Sequence, residues 1–116
     1  KARIHNNVTA IWSNECFEIW YLLHYVYRDT NMPRDALYKE LGKANRLGKE
    51  YSKGDAQVFH LLEKHLQTAL RNSEKRLFRA KQEKPYGHWN INPTTNVHEL
   101  ITELLALNAA SEDELP

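Results

Sequence analysis

The chain has 116 residues, 41% of them hydrophobic and 27% charged, with a formal net charge of +1, which is enough for one domain around one core. Four glycines and four prolines exclude collagen-like and low-complexity classes, and a single cysteine excludes an intrachain disulfide and suits a reducing cytoplasm. The longest apolar run, residues 19–23, falls far short of the ~20 residues that span a bilayer, so no membrane association is expected, and no N-terminal stretch resembles a signal peptide.

Val8-Thr9-Ala10-Ile11-Trp12 is β-branched and aromatic and predicts a short strand ending at Ser13. A lone strand needs partners, and no second convincing strand follows. Ser13 and Asn14 are N-cap residue types, with Glu15 favourably placed in the first turn of a helix. Cys16, Ile19, Trp20, Leu23 and Tyr27 share one face of that helix, and Phe17, Leu22 and Tyr25 widen its apolar surface. Such a helix belongs at the centre of the fold.

Pro33 is placed for the first turn of a second helix, whose inner face is Ala36, Leu37, Leu41 and Ala44. Gly42 or Gly48 ends it, and residues 47–54 read as a lysine-rich loop. Asp55 caps a third helix with Val58, Leu61, Leu62, His65, Leu66, Ala69 and Leu70 inward. Asn72-Ser73 predicts a break, after which Ser73 caps a basic helix carrying Leu77, Phe78 and Ala80. Residues 84–94 form a long loop. Thr94, Thr95 or Asn96 then caps a last helix with Val97, Leu100, Ile101, Leu104, Leu105 and Leu107 as its apolar set. The organisation is one helical region over 1–108 and a frayed acidic tail over 109–116, in a mainly α chain of about five helices and one N-terminal strand.

Charge is uneven along this order. Arg71, Lys75, Arg76, Arg79, Lys81 and Lys84 outnumber Glu74 and Glu83, whereas Glu99, Glu103, Glu112, Asp113 and Glu114 meet no basic residue after position 98. The first segment attracts phosphates and the second repels them, although solvated helix faces and a solubilising tail account for both. Arg76, Arg79 and Lys53 are candidate phosphate contacts, with Tyr51 or Tyr86 available for stacking.

Glu18 stands among aromatics, where a carboxylate shifts its pKa or joins other acids at a metal; an exposed or internally satisfied glutamate is the plainer reading. His24 lies six positions on and projects from another side, so the two do not form a simple dyad; a carbonyl-bonded histidine is the plainer reading there. Cys16 on the apolar face reads as a packed thiol rather than a nucleophile. His60 and His65 are five apart and diverge on a helix, and no Cys-x-x-Cys occurs, which argues against structural zinc. The stretch from His88 to His98 reads either as a rigid turn with an N-cap or as a loop bordering a cleft.

Ser13-Asn14-Glu15-Cys16-Phe17-Glu18-Ile19-Trp20-Tyr21-Leu22-Leu23-His24 resembles the signature block of the RloB-like family, with Glu15 where that family usually has proline. Tyr51-Ser52-Lys53 and Asn92-Pro93-Thr94-Thr95-Asn96-Val97-His98 resemble two further elements of it, in the same order, over residues 9–107. The resemblance implies the C-terminal portion of a larger protein with a Toprim-like α/β core. It implies a phage-defence or abortive-infection effector, an ATPase partner, and Mg²⁺-dependent phosphodiester cleavage. The metal-holding acids are expected upstream of Lys1, since this chain lacks an Asp-x-Asp, and no metal is expected on this chain alone. Carried over residue by residue, Asn14, Glu18, His24, Lys53, Asn92, Thr94 and His98 form an accessory wall of the site, with Glu18 and His24 nearest to catalysis.

Two other functions fit the residues. One is a non-catalytic helical module that binds the ATPase or a second copy of itself through an apolar patch around Val8 to Trp12 and the first helix. The other is a nucleic-acid-binding helical domain that uses residues 71–84.

Overall fold

The computed structural model describes residues 10–113. In chain order the elements are β1 (Ser13–Asn14), α1 (Glu18–Leu22), α2 (Arg34–Gly42), α3 (Ala56–Leu62), α4 (Leu66–Glu83), β2 (Thr94–Thr95) and α5 (Val97–Asp113), with 3-10 turns at Glu63–His65 and His88–Asn90. The chain is mainly helical, as expected, with one short two-stranded antiparallel sheet. No helix among the described residues is long and apolar enough to cross a membrane.

The sheet departs from expectation. Val8 and Thr9 lie outside the described residues, and residues 10–12 form no strand. Pairing starts at the residues expected to cap a helix: Ser13 faces Thr95 and Asn14 faces Thr94. Side chains specify this register. The Ser13 and Thr95 hydroxyls meet at 2.7 Å. The Thr95 hydroxyl donates to the Trp12 carbonyl at 3.1 Å and accepts the Val97 N–H at 3.1 Å, so Thr95 caps α5 while closing the sheet. Asn96 accepts the Trp12 N–H at 2.9 Å and donates to the Ala10 carbonyl at 2.6 Å. With Ser13 and Asn14 committed to β1, α1 starts later, after Phe17.

α1 is also shorter than its apolar pattern suggests. Two carbonyls at its end meet side chains: His24 Nδ1 bonds the Trp20 carbonyl at 2.9 Å, and Asn72 donates to the carbonyl of Leu23, the C-cap, at 2.9 Å. Short as it is, α1 is central. Ile19, Leu22 and Leu23 pack with Met32, Leu37, Leu41, Leu47, Val58 and Leu62 in the main core. Trp20 turns the other way and joins Ala69 and Val97 between α4 and α5. Each of these large apolar side chains contributes about 1.5–3 kcal/mol by leaving water.

The break expected at Asn72-Ser73 lies instead at Glu63–His65, and α4 runs unbroken through both residues. Poor helix formers are tolerated there for tertiary reasons. Asn72 is engaged with α1, and Ser73 is fully buried where a larger side chain would hold the helices apart. Four expected apolar positions face outward: Phe78 is exposed on α4, and on α5 so are Leu104, Leu105 and Leu107, leaving Val97 as the buried apolar residue of that helix. α5 continues as helix to Asp113, into the segment expected to be a frayed tail. Asp55 does cap α3, accepting the Gln57 N–H at 2.9 Å, and α2 stops at Gly42 with Pro33 as its N-cap.

Asn96→Ala strips partners from two backbone groups of the 10–12 segment. The expected loss is about 2 kcal/mol, seen as a lower urea midpoint at unchanged slope.

Candidate functional site around Glu18

Glu18 opens α1, and its residue is only 2% exposed. A buried carboxylate survives only if it is neutral or compensated. Two partners arrive from the loop between α2 and α3. Tyr51 Oη donates to Glu18 Oε2 at 2.6 Å, and Lys53 Nζ donates to the same oxygen at 2.7 Å. Oε1 is buried and has no protein partner. Burial pushes the Glu18 carboxyl up, but hydrogen bonds from Lys53, Tyr51 and Cys16 outweigh it and hold the carboxyl below its ordinary value. The same contacts push the Tyr51 phenol up, after burial, and raise Lys53. Glu18 is thus an anion and Lys53 a cation at neutral pH.

The loop delivering these groups is tightly built. Gly48 and Gly54 adopt positive φ (78° and 88°), which glycine accepts without steric cost. Lys49 ties the loop to the start of α3 by an ion pair with Asp55 at 2.6 Å and a bond to Gln57 at 2.8 Å. A Cβ on Gly42 would meet the Lys49 carbonyl at 3.1 Å, so a glycine at the end of α2 lets the 49–51 backbone close in. Tyr51 then packs its ring against Tyr38 and Tyr21, at centroid distances of 5.0 and 6.2 Å. Cys16 is half-buried beside Glu18, and burial followed by the hydrogen bond to Glu18 pushes its thiol up, away from the reactive thiolate.

The third motif reaches the same end of α1 through β1. The Asn14–Glu15 and Asn92–Pro93 peptides are both cis. Asn92 donates to Glu15 Oε1 at 3.3 Å and to the Met32 carbonyl at 3.1 Å, and accepts the Met32 N–H at 3.3 Å. It therefore locks residues 15 and 32 to the β2 approach. Asn14 lies on β1 with its amide 3.5 Å from the Trp89 carbonyl.

The other expected residues are placed differently. Thr94 is fully buried in β2, its hydroxyl unpartnered. Arg76 is buried on α4, donating to the Pro93 carbonyl at 2.7 Å and pairing with Glu83 at 3.4 Å. Arg79 is exposed, pairs loosely with Asp29 at 3.8 Å and lies over the Tyr27 ring. His24 is buried against Trp20, and burial lowers its pKa. His98 is buried with Nδ1 unpartnered, and burial with the Lys81 charge lowers its pKa to about 4, leaving it neutral. Glu18 and Lys53 are directly joined; His24 instead bonds a backbone carbonyl, and Arg76 bonds the Pro93 carbonyl and Glu83. Tyr51 was foreseen only as a stacking residue, and its hydroxyl bond to Glu18 had no local signal in a pair 33 positions apart. No group of three or more His, Cys, Asp or Glu able to hold a metal occurs among the described residues.

The model of the RloB-like protein family matches residues 1–104. The chain belongs to the RloB-like family. All three sequence elements that carry the likeness meet at α1: the first supplies Glu18, the second Tyr51 and Lys53, and the third the β2 pairing and Asn92. No curated protein and no solved structure matches it.

The ion pair has a signature in acid. A depressed carboxyl pKa adds stability above the unfolded value near 4.5, and that stability is lost as pH falls through the folded value. Glu18→Gln keeps an acceptor for Tyr51 and Lys53 but cannot titrate. Its urea stability is expected to fall less steeply than wild type below about pH 4.5. Parallel curves would show that Glu18 is not held ionised.

Proposed function

We propose that this chain forms the accessory wall of the active site in an RloB-like phage-defence effector, a cytoplasmic Mg²⁺-dependent nuclease working with an ATPase partner. One observation carries the reading. A buried, ionised glutamate uses one oxygen to aim an otherwise exposed lysine.

Lys53 is 69% exposed at its side chain yet fixed at its head by Glu18. An ammonium has three donors, so two remain for phosphate oxygens. Glu18 Oε1 is buried, so the carboxylate acts through Lys53, which is the member of the pair that faces a substrate. Mg²⁺ takes an octahedral shell of oxygens. A single unpartnered carboxylate oxygen with no acidic cluster among the described residues does not make such a site, so these residues do not fit the metal by themselves. In this reading the metal-holding acids are not among the described residues.

A second reading has its own support. Leu104, Leu105 and Leu107 are exposed along α5, and Ile11, Phe17 and Trp89 are exposed near β1, as an interaction module requires. Light scattering separates the two, since a strict monomer at high concentration counts against self-association.

In the full-length protein with Mg²⁺, Glu18→Gln is expected to slow nucleic-acid cleavage about a hundredfold with little change in thermal midpoint. Unchanged cleavage removes Glu18 from the site. No cleavage by the wild-type protein overturns the nuclease assignment.

A further inference from the structure

We infer that the cleft between the end of α2 and the 50–51 segment is a docking track for single-stranded nucleic acid that leads to Glu18 and Lys53. The cleft measures about 370 Å³ and is lined by Tyr38, Lys39, Gly42, Lys43, Glu50 and Tyr51. This rests on the reading of Glu18 and Lys53 as part of a nuclease site and supplies the substrate form that such a site takes.

The chemistry of the lining selects the ligand. Tyr38 and Tyr51 both line the cleft, half-buried, with rings 5.0 Å apart and tilted by 57° rather than stacked. A base stacks on such a surface only when it is free of its own helix, which favours a single strand over a duplex. Phosphates need cations beside the rings. Lys39 is exposed with no ion pair among the described residues. Lys43 pairs with Glu40 at 3.0 Å, but Arg28 and Arg46 claim the same carboxylate at 3.3 and 3.2 Å. Three cations on one anion leave this end of α2 positive, against Glu50 as the one acid in the lining.

The cleft also has direction. Tyr51 forms part of its wall and reaches Glu18 with the hydroxyl, and Lys53 lies two residues further on at the same carboxylate. A strand whose base stacks at Tyr51 brings an adjacent phosphate towards Lys53. Gly42 matters because it lets the Tyr51 backbone approach α2 closely enough to form the far wall.

The test is fluorescence anisotropy with the full-length protein in EDTA, so that binding is read without cutting. The probes are labelled oligouridylate and oligothymidylate of about 12 nucleotides, and a duplex of equal length. Both single strands are expected to bind more tightly than the duplex, and a preference between them reports recognition of the 2′-hydroxyl. Tyr38→Ala should weaken single-strand binding about tenfold, and Tyr38→Phe should retain it. Lys39→Gln with Lys43→Gln, both surface changes, should lower the salt dependence by about 0.7 in slope per lysine. Undiminished binding by both the tyrosine and the lysine variants overturns the track, as does a preference for duplex. Binding of the expected form by a protein that never cuts sustains the track while the nuclease reading fails. Cutting with binding unaltered in the variants does the reverse.

Discussion

A buried negative charge organises this molecule. Glu18 sits at the first position of the helix that feeds both core clusters, where an uncompensated carboxylate would cost several kcal/mol. The fold answers by bringing Tyr51 and Lys53 to it from a loop some 33 to 35 positions away. The turn glycines, the Lys49–Asp55 pair and the close approach at Gly42 all hold that loop where its two donors can reach. Without the charge, Tyr51 keeps an acceptor but Lys53 loses its counter-ion.

The opposite side of α1 is held by polar side chains rather than a large sheet. β1 and β2 are two residues each, too short to stand alone. Thr95, Asn96, Asn92 and Arg76 convert them into a rigid junction by satisfying backbone groups on Trp12, Ala10, Met32 and Pro93. Such groups are expensive to leave unpaired in the interior, so each contributes to the register of α1 as well as to stability. The position of Glu18 is therefore set from two directions: by donors on one side and by the β1–β2 junction on the other.

Local chemistry was legible in the sequence, and long-range chemistry was not. Asp55 as a cap, Gly42 as one of two candidate stops and the inward side of α1 follow from residue type and spacing within a turn or two. Ser13 and Asn14 carry the same cap preference, yet they pair with Thr95 and Thr94, which no local pattern announces. Asn72 and Ser73 looked like a break because their propensities are poor; the Leu23 carbonyl and tight burial overrode them. Arg76 read as a surface phosphate contact, as arginines usually are, but its guanidinium is an internal strut on Pro93. At the site, Glu18 and Lys53 were both picked out, and Tyr51 was seen only as a stacking surface. Their union on one oxygen emerged from the fold.

The central claim is that Glu18 is ionised inside the protein because Tyr51 and Lys53 hold it so. The direct measurement is the pH titration of its side-chain carboxyl by carbon-13 NMR, in wild type and in Lys53→Ala. A midpoint below the ordinary value of 4.5 is expected in wild type and a higher one in the variant. A wild-type midpoint at or above that value, unmoved by loss of Lys53, would contradict it.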